Sequence, residues 1–279
     1  MIFALQKSMQ LAIMVPMFLL WILVSAISLY LIFKRRSSSR ISVVLYLISV
    51  IIGGFLLGGV PNAVLPIQII LGYFNTFGPF LQILPMIIIL TILLVTTLFF
   101  GRLFCGFACP LGALQELISK VQFKSTNRKD KMYKWKIQIP KKYANGIRIG
   151  FFIFSAILTI MWGINLIQII NPFLGFQLFR VPSIMAIITP IIFLGSVSVA
   201  SLFTYRPWCR LFCPFGMVSN FTSKYSRYRL KRNENCTDCG LCEQICPTQS
   251  ASEESKKGEC YFCSRCIDTC PQDAIEFTN

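Results

Sequence analysis

Cys236-Thr237-Asp238-Cys239-Gly240-Leu241-Cys242-Glu243-Gln244-Ile245-Cys246-Pro247 and Cys260-Tyr261-Phe262-Cys263-Ser264-Arg265-Cys266-Ile267-Asp268-Thr269-Cys270-Pro271 are two copies of one pattern, C-x-x-C-x-x-C-x-x-x-C-P. Three closely spaced thiolates wrap one face of a four-iron cube, and the fourth, set apart and followed by proline, ligates the other cube of a pair. The spacing predicts two [4Fe-4S] clusters. Cys236, Cys239, Cys242 and Cys270 are expected on one, and Cys260, Cys263, Cys266 and Cys246 on the other. A disulfide framework belongs to small secreted chains. A zinc ribbon uses paired C-x-x-C knuckles and has no role for a third cysteine in each run.

This is the spacing of a bacterial-type two-cluster ferredoxin, so residues 233–279 are expected to form a small α+β domain. Charge separates that tail from the rest. It holds nine acids against three bases, a net of −6, whereas residues 1–232 carry a net of +22 with only Glu116 and Asp130 as acids. The chain as a whole is 55% hydrophobic and only 14% charged, against about a quarter charged in a soluble domain. An acidic module therefore follows a basic, apolar one. The bases sit in short stretches between apolar runs, the pattern of cytoplasmic membrane loops, and no nucleic-acid partner is expected.

Five apolar runs, 9–33, 41–60, 84–100, 148–170 and 184–204, lack interior charge. Crossing about 30 Å of hydrocarbon takes roughly 20 helical residues. The expectation is an all-α polytopic membrane domain of about five transmembrane helices in contact with lipid. Residues 1–40 supply an extra first helix and a basic loop, and 41–232 a duplicated core. Residues 63–83, apolar but broken by Pro66, Gly72 and Pro79, are expected as an interfacial or re-entrant segment. The basic stretches after runs one, three and five place the N-terminus outside and the acidic module in the cytoplasm of a prokaryotic inner membrane.

The other four cysteines expose the duplication. Arg102-Leu103-Phe104-Cys105-Gly106-Phe107-Ala108-Cys109-Pro110-Leu111-Gly112 follows the third run, and Arg206-Pro207-Trp208-Cys209-Arg210-Leu211-Phe212-Cys213-Pro214-Phe215-Gly216 follows the fifth. Both copies point the same way, so the repeat is parallel. Cysteines four apart share one side of a helical turn, and each proline suits the first position of a new helix. Three readings of Cys105, Cys109, Cys209 and Cys213 stand side by side: an additional metal or iron–sulfur centre, a reversible dithiol in each motif, or small side chains at helix contacts. Phe104 and Trp208 precede these cysteines and are expected to shield them from water.

Two C-x-x-x-C-P motifs followed by a two-cluster ferredoxin domain resemble the NapH/NosR-type membrane polyferredoxins, over about residues 41–279. The resemblance implies a quinol dehydrogenase membrane component. Such a subunit passes electrons between the quinol pool and iron–sulfur clusters of a respiratory reductase system, with other redox subunits as partners. It gives the eight C-terminal cysteines as cluster ligands and Cys105, Cys109, Cys209 and Cys213 as the family's paired motifs. Related architectures imply the alternative of a membrane iron–sulfur assembly or copper-handling factor for a respiratory oxidase or reductase.

The chain has no histidine, so bis-histidine haem is not expected and the usual proton acceptor near neutral pH is missing. Glu116 is the one carboxylate beside a motif, and it reads as a solvated glutamate on a helix surface. Asn75, Gln82, Asn171 and Gln177 are the amides available to a quinone head group, although each also suits a helix end.

Overall fold

A computed structural model describes residues 19, 22–24, 26–27 and 30, then 39–59, 61–76, 80–121, 137–179, 184–252, 255 and 257–278. Most of the first expected span, 9–33, and residues 122–136 of the long basic loop lie outside the described residues. The other four apolar runs are largely helical. α1 (Ser39–Ile48) continues into a π-helical stretch, Ser49–Leu56. α2 (Leu65–Thr76) falls in the expected interfacial segment. α3 (Leu84–Phe100) carries no charge and has proline in its first turn, where the missing N–H costs nothing. α4 (Pro110–Val121) follows the first cysteine pair.

α5 (Lys141–Trp162) begins seven residues before the expected fourth span, taking Arg148 inside the helix. It stops at Gly163, whose φ of 69° is the left-handed conformation that glycine adopts without steric cost. The short α6 (Leu166–Ile169) and a 3₁₀ stretch, Pro172–Phe179, lead to α7 (Ile184–Phe203). α8 (Pro207–Leu211) holds Cys209, and α9 (Pro214–Ser223) starts at the second motif's proline. Pro110 and Pro214 thus open matching helices. Among the described residues one helix, Lys141–Trp162, is long and apolar enough by itself to cross a membrane, and the other apolar helices are shorter.

The repeats interlock. α4 of the first packs on α7 of the second, and α9 of the second packs on α3 of the first. The hydroxyls of Thr97 and Thr222 meet at 2.6 Å across the second of these contacts. The acidic tail is the expected small α+β unit. β1 (Arg229–Arg232) pairs antiparallel with β2 (Ile275–Thr278), Arg229 opposite Thr278, and α10 (Leu241–Ile245) packs on α11 (Arg265–Thr269). β1 precedes the boundary drawn at residue 233, because its basic residues read as part of a loop. Just ahead of it, the amides of Arg227 and Tyr228 donate to the carbonyls of Leu98 and Phe99, fastening the tail to the end of α3.

Candidate iron–sulfur centres

Each run of cysteines in the tail folds as the same turn. Asp238 and Phe262, two residues after the first cysteine of each run, both take left-handed φ, and so do Gly240 and Ser264, then Gln249 and Asp273. Such turns aim successive backbone N–H groups into a shared hollow suited to sulfide and thiolate. The amides of Ser250 and Ala274 donate to Cys246 Sγ and Cys270 Sγ at 3.2 and 3.3 Å, again at matching offsets. One cavity is lined by Cys236, Cys239, Cys242 and Cys270. The other is lined by Cys246, Cys260, Cys263 and Cys266, with Cys242 at its edge. The two cavities group the cysteines as the spacing leads one to expect, each fourth cysteine lining the other run's hollow. Among the described residues no three donor side chains converge as a single ion requires. Thiols ringed around a larger hollow fit a multi-iron cube.

Cys105, Cys109, Cys209 and Cys213 are all buried and lie within electrostatic reach of one another at the seam between the repeats. Cys105 sits in a π-helical turn, Phe104–Ala108, and Cys209 in α8. Their surroundings are exchanged between repeats. Gln115 Nε2 of the first donates to Cys209 Sγ at 3.3 Å, and Ser219, its counterpart in the second, bonds the sulfur of Cys105. The amides of Gly112 and Gly216 bond Cys109 and Cys213, each within its own repeat. Arg206 Nη1 donates to the Cys105 carbonyl at 2.7 Å, and Arg102 reaches the Gly216 carbonyl in return. Phe104 and Trp208 are buried beside these cysteines, as expected of shields. Burial pushes the Cys105 thiol up to about 11.

The second cysteine run of the tail rests directly on this seam. The Tyr261 carbonyl lies over Gly106, where an added Cβ would clash with its oxygen. The Tyr261 ring lies between the guanidiniums of Arg206 and Arg102, at 4.5 and 5.1 Å from its centroid, and Arg102 Nη1 donates to its hydroxyl at 2.6 Å. Two ionic clamps flank it. Glu116 pairs with Arg206 at 3.0 Å and with Arg265 of the tail at 2.7 Å, and accepts from the Tyr205 hydroxyl at 2.6 Å. In mirror fashion Glu259 of the tail pairs with Arg148 at 3.0 Å and Arg210 at 3.5 Å. Gly106→Ala should therefore lift Tyr261 off the seam. Overpacking of this kind costs about 1–3 kcal/mol, and a lowered thermal midpoint of the detergent-purified chain would register it. An unchanged midpoint would show that the contact is loose.

Glu116 is thus not a solvated helix-surface glutamate. Burial alone would raise its carboxyl, but Arg265, Arg206 and Tyr205 more than reverse that and hold it at about 2. Asn75 and Asn171 are engaged in structural bonds: Asn75 Nδ2 donates to the Ile160 carbonyl at 3.3 Å, and Asn171 Oδ1 accepts from the Phe173 amide at 3.1 Å. Gln177 lies at a kink in its 3₁₀ stretch, and the Gln82 side chain is outside the described residues. Sequence reasoning missed Arg102, Arg148, Arg206, Arg210, Arg265, Glu259, Tyr205 and Tyr261 as parts of the site. The one available signal was the alignment of Arg102 with Arg206 in the repeat.

A family profile for a 4Fe-4S binding domain matches residues 82–128 and again 185–233, once per repeat, and a second 4Fe-4S binding profile matches 231–250. MJ0750 of Methanocaldococcus jannaschii is 34% identical over 68% of this chain and 77% of its own length. YccM of Escherichia coli is 28% identical over 66% of this chain and 53% of its own, and the ferredoxin-type protein NapH of Haemophilus influenzae 23% identical over 64% and 62%. The chain belongs to the NapH/NosR-type polyferredoxin family. It is an iron–sulfur, ferredoxin-type electron transport protein. It spans about half the length of YccM, and no solved structure matches it.

Proposed function

We propose that this polyferredoxin is a multi-pass inner-membrane subunit that passes electrons between the quinol pool and the iron–sulfur clusters of a respiratory reductase system, with other redox subunits as its partners. The observation that carries the reading is the seating of Tyr261, between the cluster ligands Cys260 and Cys263, on Gly106 between the first motif's cysteines. That contact sets the second cysteine run directly against the bundle beside the first motif. Apolar side chains support the lipid setting. Ile88, Ile92, Val95 and Leu98 of α3, and Ile153, Ile157 and Ile160 of α5, face outward, each more than a third exposed. An exposed apolar band of this extent marks contact with a partner or a membrane. The positive-inside rule then sets the tail in the cytoplasm and the N-terminus outside.

The cubes, when bound, supply one-electron storage. The chain's own residues fix the geometry around them. Tyr261, clamped by Arg102 and Arg206, holds the second cysteine loop against the bundle, and Phe104 and Trp208 keep water from the motif cysteines. Oxidising a quinol also releases protons. Glu116 does not receive them, because two arginines hold it ionised. With no histidine in the chain, those protons leave to water or to a partner subunit.

In membranes containing the protein, anaerobic addition of menaquinol or ubiquinol should reduce the clusters and produce their EPR signals. A preparation whose clusters respond to dithionite and to no quinol would overturn the quinol reading and leave the iron–sulfur assignment intact.

A further inference from the structure

The seam between the repeats is electrostatically unfinished. Among the described residues the buried ionic side chains are Arg102, Arg148, Arg206, Arg210, Arg265, Glu116 and Glu259. Each glutamate is shared by two arginines, and Arg102 forms no ion pair among the described residues. Among these described residues three positive charges are therefore unbalanced in the interior, where an uncompensated charge is strongly disfavoured. One of them faces the tail's second centre, through Arg265 beside Cys263. The other two are spread over three guanidiniums that lie against the motif cysteines: Arg102 acts on Cys105 and Cys213, Arg206 on Cys105 and Cys209, and Arg148 on Cys209 and Cys213. Nε of Arg102, and both Nε and Nη1 of Arg148, have no hydrogen-bond partner.

The sulfurs tell the same story from their side. Each of the four receives a hydrogen bond, from Gln115, Ser219, Gly112 or Gly216. A neutral thiol is a weak acceptor, whereas a thiolate is a strong one. Plain packing of four thiols would leave two buried cations unbalanced and four donors aimed at poor acceptors. A single tetrahedral ion would draw three or more sulfurs together, and no such convergence exists among the described residues. A four-thiolate iron–sulfur cube, a dianion in its oxidised form, satisfies both the charge and the donors.

We infer that Cys105, Cys109, Cys209 and Cys213 jointly hold a third, anionic [4Fe-4S]-class centre, two ligands from each repeat, with Arg102, Arg148 and Arg206 as its counter-charge. The inference extends the electron-transfer reading but does not depend on the donor being a quinol. The full chain, purified anaerobically in detergent, should carry about twelve iron atoms and as many acid-labile sulfides per chain, with three reducible centres by EPR spin count. A Cys105→Ser/Cys209→Ser variant should lose about four of those irons and keep the two tail signals. About eight irons in the wild type, or zinc in place of the third set, overturns the proposal while leaving the ferredoxin tail standing. Iron near zero sinks the iron–sulfur reading itself. The wild-type count decides the matter even where the variant fails to fold.

Discussion

Replacing Cys270 with serine should abolish the cluster of the first run, Cys236–Cys242, and spare that of the second run, in which Cys270 itself lies. The converse holds for Cys246→Ser. The reason is topological. The fourth cysteine of each run leaves its helix in an extended conformation, φ −75° at Cys246 and −69° at Cys270, and is carried across to the opposite hollow. Cys270 Sγ accepts from the Ala274 amide at 3.3 Å, and the Ala274 carbonyl accepts from Asn233 at 2.8 Å, just past the end of β1. Loss of that ligand therefore strips about four irons and also loosens the β1–β2 pair that closes the tail. Iron analysis with EPR of the purified variant separates the two centres. A variant that kept the first-run signal and lost the second would show that each run ligates its own cube.

The grouping of those eight cysteines around two hollows was legible in the sequence because their geometry is local. A cube is wrapped by residues three apart, and the turns that aim their amides repeat at fixed offsets, as at Asp238 and Phe262. The long apolar helices and the internal repeat were legible for the same reason, since periodicity and a proline after each cysteine pair are short-range signals. The ends of the elements were less so. Arg148 and the strand Arg229–Arg232 are basic, and basic residues beside an apolar run read as loop. The clamp between bundle and tail was not legible at all. Glu116 meets Arg206 across 90 residues and Arg265 across 149, and nothing near Glu116 in sequence distinguishes a doubly paired carboxylate from a solvated one. Glu259 is equally silent: its partners, Arg148 and Arg210, were counted as topology-setting loop charges. A long-range ion pair leaves no local pattern in either of its partners. Only the matched positions of Arg102 and Arg206 hinted that these charges had a purpose inside the fold.

The largest effect on stability is expected at Glu116. Glu116→Ala removes the carboxylate that two arginines share and leaves Arg206 and Arg265 buried without it, along with an unmatched Tyr205 hydroxyl. Breaking a buried pair from one side costs about 3–5 kcal/mol, more than most single substitutions. Because Arg265 belongs to the tail and Arg206 to the bundle, the loss should appear first as undocking. Limited proteolysis would cut between Ser223 and Arg229 at protease levels that leave the parent chain whole, and the thermal midpoint would fall. Glu116→Gln keeps the shape and should recover only part of the loss, since an amide neutralises neither guanidinium. The pH dependence gives a second signature. The folded carboxyl is held at about 2, below its ordinary 4.5, so its stabilising contribution is fully present above about 4.5 and drains away as pH falls towards 2. Parent and Glu116→Gln should therefore differ most at neutral pH and converge in acid. A constant gap down to pH 2 would mean that Glu116 is not ionised in the fold, and an unaltered midpoint in Glu116→Ala would mean that the clamp does not hold the tail.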